Sequence, residues 1–257
     1  MAGAQDLKIV ETEHLQVVYF DPSGSYLAPY VTQSFVNSLN AQHERFGFVP
    51  DGKVALLLQD FSDRGNAAAV LGAPRNRIFI DIAPPVLSFE TFSPGESIYT
   101  LSNHELVHTV VGDQASDDDR LARRLFAGKV APAAEHPETI LYNYLTNPRA
   151  STPRWYQEGS AVFMETWYGG GLGRAQGGYD EMVFRAMVRD RATFYDPLGL
   201  VSKGTEVDFQ SGANAYLYGT RFMSYLAYTY SPAKVMEWWT RVDGTRRNYD
   251  DQFEQVF

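Results

Sequence analysis

The feature that most constrains this chain is a helical run from Ser93 to Val111 that is apolar on two sides. Ser93-Pro94-Gly95-Glu96 reads as a helix start, with a Ser cap, Pro at the first position and Glu at the third. The helix should run to Val111 and stop at Gly112. Ile98, Leu101 and Val111 fall on one stripe, and Tyr99, Leu106 and Val110 form a second, opposite one. A helix of this kind is buried between two layers. The first stripe also carries His104 and His108, with Glu105 beside them. Such groups are costly to bury unless a metal ion or hydrogen bonds satisfy them.

Residues four apart on a helix stack one turn above each other, so the imidazoles of His104 and His108 can reach one metal ion. Glu105 lies about 100° round from His104, close enough to touch a metal-bound water without taking a ligand position. Two neutral nitrogen donors and a carboxylate that takes a proton from water are what a metallohydrolase needs.

The rest of the chain is compatible with that role. Apolar residues make up 44% and charged residues 21%, enough for a core without staples. The net charge is −9, and no basic run suggests nucleic acid or an anionic membrane. No stretch approaches about 18 consecutive apolar residues, so no membrane span is expected. With no cysteine, a metal must sit on His, Asp or Glu. Met1 to Asp6 is no signal peptide and reads as the start of a chain whose leader has been removed. A periplasmic or extracellular location is the expectation.

Hydrophobic patterning predicts a strand over His14 to Phe20 and a turn at Asp21-Pro22-Ser23-Gly24. A helix follows over Tyr26 to Phe46, ending at Gly47. A buried strand covers Lys53 to Gln59, and a strand near a sheet edge covers Arg77 to Ile82. After the Ser93 helix come helices starting at Ser116 and at Thr152-Pro153. The first should end by Gly128, and Gly169-Gly170-Gly171 should close the second. Two more are expected over Ala213 to Tyr228 and Ala233 to Val242. The chain therefore divides into an α/β lobe over residues 1–112, including the His104 helix, and a helical lobe over residues 113–257.

Catalytic zinc usually has three protein ligands and one open position. The metzincin spacing fails, because its positions hold Val111 and Gln114; Asp113 lacks the rest of the aspzincin pattern. Glu158, within Trp155-Tyr156-Gln157-Glu158-Gly159-Ser160-Ala161, shares a stripe with Trp155, Ala161, Val162 and Glu165 and so points into packed structure. Glu135 and His136 are the alternatives, although His136-Pro137 reads as a polar loop.

These segments resemble the gluzincin branch of the zincin metallopeptidases, most closely the peptidase MA-like families and more distantly the M1 aminopeptidases. His104 to Asp113 looks like their active-site helix, and Trp155 to Ala161 looks like the segment that carries the ligand Glu. Ala215 to Phe222 is similar to their "Y-x-x-G-x-x-F" helix, whose Tyr stabilises the oxyanion. Tyr216 and Tyr218 lie about 200° apart on a helix, and the family spacing selects Tyr216.

The resemblance implies an α+β, zincin-like fold with a small twisted sheet, an active-site helix and a cleft between the two lobes. It implies one zinc per chain on His104, His108 and Glu158, with Glu105 as general base and Tyr216 as oxyanion donor. The chain departs from the family in two ways. A long spacer of 49 residues separates His108 from Glu158, and is expected to form a lid, a rim or plain surface. The segment that anchors a substrate amino terminus in aminopeptidases is absent, which favours an endopeptidase acting on peptides or proteins. A peptide is expected to add along the Arg77 to Ile82 strand edge. Arg221 is a candidate for a substrate carboxylate, though it reads more readily as exposed. Related domains continue through more helix, so further C-terminal domains are expected. The rival reading is a zincin-fold binding or scaffold module that holds zinc without turnover.

Overall fold

A computed structural model of the protein describes residues 6–72, 75–84, 96–175, 177–195 and 214–257. The first part builds a five-stranded mixed sheet from β1 (Asp6–Glu11), β2 (Leu15–Asp21), β3 (Val54–Gln59), β4 (Asn66–Val70) and β5 (Arg77–Asp81). Its order is β1-β2-β3-β5-β4, with β2, β3 and β5 parallel and the two outer strands antiparallel. Helix α1 (Ala28–Phe46) makes the crossover from β2 to β3 and ends at Gly47 in the left-handed conformation (φ 63°), which glycine adopts without steric cost.

Side chains alternate along β5, with Ile78 and Ile80 fully buried and Phe79 half-buried. In β3, Val54, Leu56 and Leu58 face the same core. β5 is paired on both sides, so the edge on that side is β4, which periodicity alone did not find. The expectation of peptide addition along Arg77 to Ile82 is therefore corrected: both of that strand's edges already carry ladders.

Helix α2 (Ser97–Asp113) carries His104 and His108. Glu96 is its N-cap, accepting from the backbone N–H of Ile98 (3.0 Å) and Tyr99 (2.6 Å); the predicted Ser93 cap lies outside the described residues. The helix does not stop at Gly112. That glycine sits within it, where a Cβ would come within 2.3 Å of Leu71 Cδ1, so it admits a neighbouring side chain rather than ending the helix. Ile98, Leu106 and Val110 pack into the core under the sheet, and Val107 and Val111 into a second core of Tyr156, Met164, Met223, Trp238 and Trp239. Burial between two layers is thus observed, although Tyr99 is exposed.

The spacer folds as α3 (Asp117–Leu125), α4 (Pro137–Thr146) and a 3-10 turn at Arg149–Ser151. Ser116 and Asp119 form a capping box at the start of α3, where the acidic start was expected. His136-Pro137 is not a loop: it is the N-cap and first residue of α4, a position proline also favours. Buried ion pairs tie this region down, Arg123 to Asp113 at 3.0 Å and Arg241 to Asp119 at 2.6 Å. Neither pair reaches His104, His108 or Glu158.

The remaining helices are α5 (Arg154–Tyr168), α6 (Gly178–Asp190), α7 (Asn214–Thr229), α8 (Pro232–Trp239) and α9 (Tyr249–Val256). Gly169 closes α5 as expected, whereas α6 and α9 were not anticipated. None of the described helices is long and apolar enough to cross a membrane. Helices α5 and α7 cross at Gly159 and Gly219. A Cβ on Gly219 would lie 2.1 Å from the Trp155 carbonyl oxygen, and one on Gly159 would lie 2.5 Å from the Gly219 carbonyl carbon. These glycines let the backbones touch, and they flank Glu158 and Tyr216. Gly219→Ala should cost roughly 1–3 kcal/mol through overpacking, read as a lower urea midpoint. Gly178→Ala, whose Cβ meets nothing within 4 Å, should stay within about 0.5 kcal/mol of the parent.

Candidate metal centre

Helix α2 presents His104 and His108 one turn apart, and α5 brings Glu158 across to them. Glu158 Oε2 lies 3.3 Å from His104 Nε2 and 3.3 Å from His108 Nε2, and the two Nε2 atoms are 3.2 Å apart. Four donors at about 2.0–2.1 Å from a tetrahedral zinc lie roughly 3.3–3.4 Å apart, so the triangle has the size such an ion needs. Glu158 Oε2 is buried and accepts no hydrogen bond of proper geometry. The three atoms lie close enough together that the group could hold a metal ion. Among the described residues no other such group of three occurs. Burial alone would raise the Glu158 carboxyl, but the two imidazoles hold it well below the usual carboxylate range, so it is ionised.

The alternatives fall elsewhere. Glu135 and His136 are exposed, with His136 Nδ1 3.2 Å from Glu138. Asp113 is engaged by Asn76 (2.7 Å), Arg123 and Lys129, a role in packing rather than ligation.

Two residues complete the centre that sequence reasoning did not assign to it. Glu165, noted only as sharing the Glu158 stripe, lies two turns further along α5, and its Oε2 is 2.8 Å from His104 Nδ1. Arg174 grips both Glu165 oxygens, Nε to Oε1 at 2.7 Å and Nη2 to Oε2 at 2.7 Å. Burial works against a charge on Glu165, but Arg174 lowers its carboxyl to about 2. An ionised Glu165 accepts from Nδ1–H, which leaves Nε2 of His104 as the ligand nitrogen. Arg174 Nη2 also approaches Nδ1 at 2.9 Å; the two nitrogens share the acceptor Oε2. Burial opposes a charge on His104, yet Glu158 and Glu165 lift it to about 10, so a metal ion held there would displace a proton.

The glycine run that ends α5 makes this possible. Gly170 (φ 67°) and Gly171 (φ 91°) turn the chain back, and a Cβ on Gly173 would strike Thr166 Oγ1 at 2.1 Å. The signal available in sequence was an arginine immediately after Gly169-Gly170-Gly171-Leu172-Gly173.

Glu105 is 4% exposed. Burial raises its carboxyl above the ordinary range, with the two imidazoles opposing. Tyr216 faces the centre, its ring stacked on His104 with centroids 6.2 Å apart and planes 21° from parallel. Tyr218 lies on the other side of α7 against Phe184 and Phe194. Arg221 pairs with Glu181 at 2.9 Å, an exposed ion pair. The cation beside the centre is instead Arg154, whose Nε lies 3.4 Å from Glu158 Oε1 and Nη2 3.4 Å from the Tyr216 hydroxyl.

Glu165→Gln should weaken zinc affinity roughly 10–100-fold in competition titration against a chromogenic chelator, with native circular dichroism. Unchanged affinity would remove the orienting role. No model of a known protein family matches this chain, and no curated protein matches it either.

Proposed function

We propose that this protein is a zinc-dependent peptidase of the gluzincin type, cleaving internal bonds of peptides or proteins. The observation that carries the reading is the convergence of His104 Nε2, His108 Nε2 and Glu158 Oε2 on one point, with a buried carboxylate and a phenol beside it. A zinc ion on these three residues would supply a Lewis acid and a water of lowered pKa. Glu105, held in a site that favours its protonated form, would take a proton from the attacking water and pass it to the leaving amine. Tyr216 would donate to the oxygen that gains charge as the carbonyl carbon becomes tetrahedral. Glu165 and Arg174 would keep His104 in the tautomer that ligates.

Against the rival reading, a scaffold that holds zinc without turnover, stands Glu105, a carboxyl kept 4% exposed on the same helix face as the two histidines.

Glu105→Gln separates the two. It should retain one zinc per chain by elemental analysis while cleavage of casein or a peptide library falls by about 10²–10⁴-fold. Cleavage at the parent rate would sink the mechanism. Dialysis of the parent against a chelator should abolish cleavage, and added zinc should restore it; activity that survives metal removal would argue against the metal's role.

A further inference from the structure

We propose that Arg154 contacts the substrate at the reacting carbonyl and, with Tyr216, forms a two-donor pocket for the oxyanion. This rests on the hydrolase reading above and adds a residue that neither the motifs nor the resemblance singled out.

Two arginines flank Tyr216, and the structure divides their work. The Arg174 guanidinium carbon lies 5.3 Å from the Tyr216 ring centroid, but that side chain is buried and its fork is spent on Glu165. The Arg154 carbon lies 5.4 Å from the same ring, and its side chain is 43% exposed. Its contacts to Glu158 Oε1 and to the Tyr216 hydroxyl are both 3.4 Å. A committed charge-assisted bond runs at about 2.7–2.9 Å, so most of its five donors remain available. Arg154 precedes Glu158 by one helical turn, so α5 fixes its head beside the ligand. It also leans on the ligand's other oxygen, Oε1, which leaves Oε2 to face the imidazoles.

When the water oxygen bonds to the carbonyl carbon, the carbonyl π pair moves onto oxygen. Glu105 takes the water's proton and returns it to nitrogen as the C–N bond breaks. The charge on oxygen is the one quantity that grows on this path. A guanidinium and a phenol 3.4 Å apart can both donate to it.

The competing role is purely positional, with Arg154 serving only to orient Glu158. Binding separates the two without turnover. The probe is a phosphinic peptide, in which a tetrahedral phosphinate replaces the scissile amide, titrated into the zinc-loaded protein. For Arg154→Ala, zinc affinity should change far less than phosphinic-peptide affinity, which, measured on zinc-saturated protein, should fall about 100-fold, with kcat falling by a similar factor at near-constant KM. Arg154→Lys, which keeps the charge without the fork, should recover part of the loss. Unchanged phosphinate affinity in Arg154→Ala overturns the proposal, as does a loss of zinc affinity large enough to account for the effect. A zinc-loaded parent that does not bind the phosphinate overturns it together with the hydrolase reading. Full activity in Glu105→Gln overturns the assignment of Glu105 as base alone, because phosphinate binding is read independently.

Discussion

Two imidazoles and two carboxylates are held between apolar cores, and an ionisable group so placed must be paired or ligated. Val107 and Val111 pack to one side of α2 and Leu106 and Val110 to the other, so the helix cannot turn its histidines to water. The groups that meet His104 answer this constraint. Glu165 meets Nδ1, Arg174 meets Glu165, and Glu158 with His108 meets Nε2. Glu158 Oε2 and the two Nε2 atoms are thereby brought within 3.3 Å of one another, a group that could hold a metal ion.

Helix α5 supplies most of this. Arg154, Glu158 and Glu165 lie on one side of it, four and seven residues apart, within the repeat of a helical face. Its outer turn meets solvent and carries the exposed arginine; its inner turn carries the fully buried Glu165. The Gly159 and Gly219 crossing fixes how deep α5 sits against α7, and so sets the distance from Tyr216 to His104. A displacement of a few tenths of an ångström there would reach the ligand triangle through one peptide unit, since Gly159 directly follows Glu158.

Local signals were strong where a local cause acts. Gly47 ends α1, Ser116 and Asp119 box the start of α3, and Gly169 closes α5, each by an interaction spanning a few residues. The same rules failed at Gly112 and His136-Pro137. A glycine that ends a helix and one that admits a neighbour's Leu71 look alike in sequence, as do a proline in a loop and a proline at the first turn of a helix. Strands β1 and β4 escaped notice because edge strands need not alternate strictly: all but one residue of β1 is exposed, and β4 is mostly alanine.

The spacing of His104, Glu105 and His108 determined by itself that two nitrogens would share one helix face with a carboxylate beside them, because 3.6 residues per turn is a local property of the backbone. The same geometry separated Tyr216 from Tyr218. Only the tertiary structure decided that Glu158 joins His104 rather than Glu135 or His136. It also decided that Glu165 and Arg174 stand behind His104, and that Arg154 rather than Arg221 is the cation at the centre. The meetings of His104 and His108 with Glu158, Glu165 and Arg174, and of Arg154 with Tyr216, join residues 50 to 70 positions apart, and no periodicity along the chain encodes such a distance.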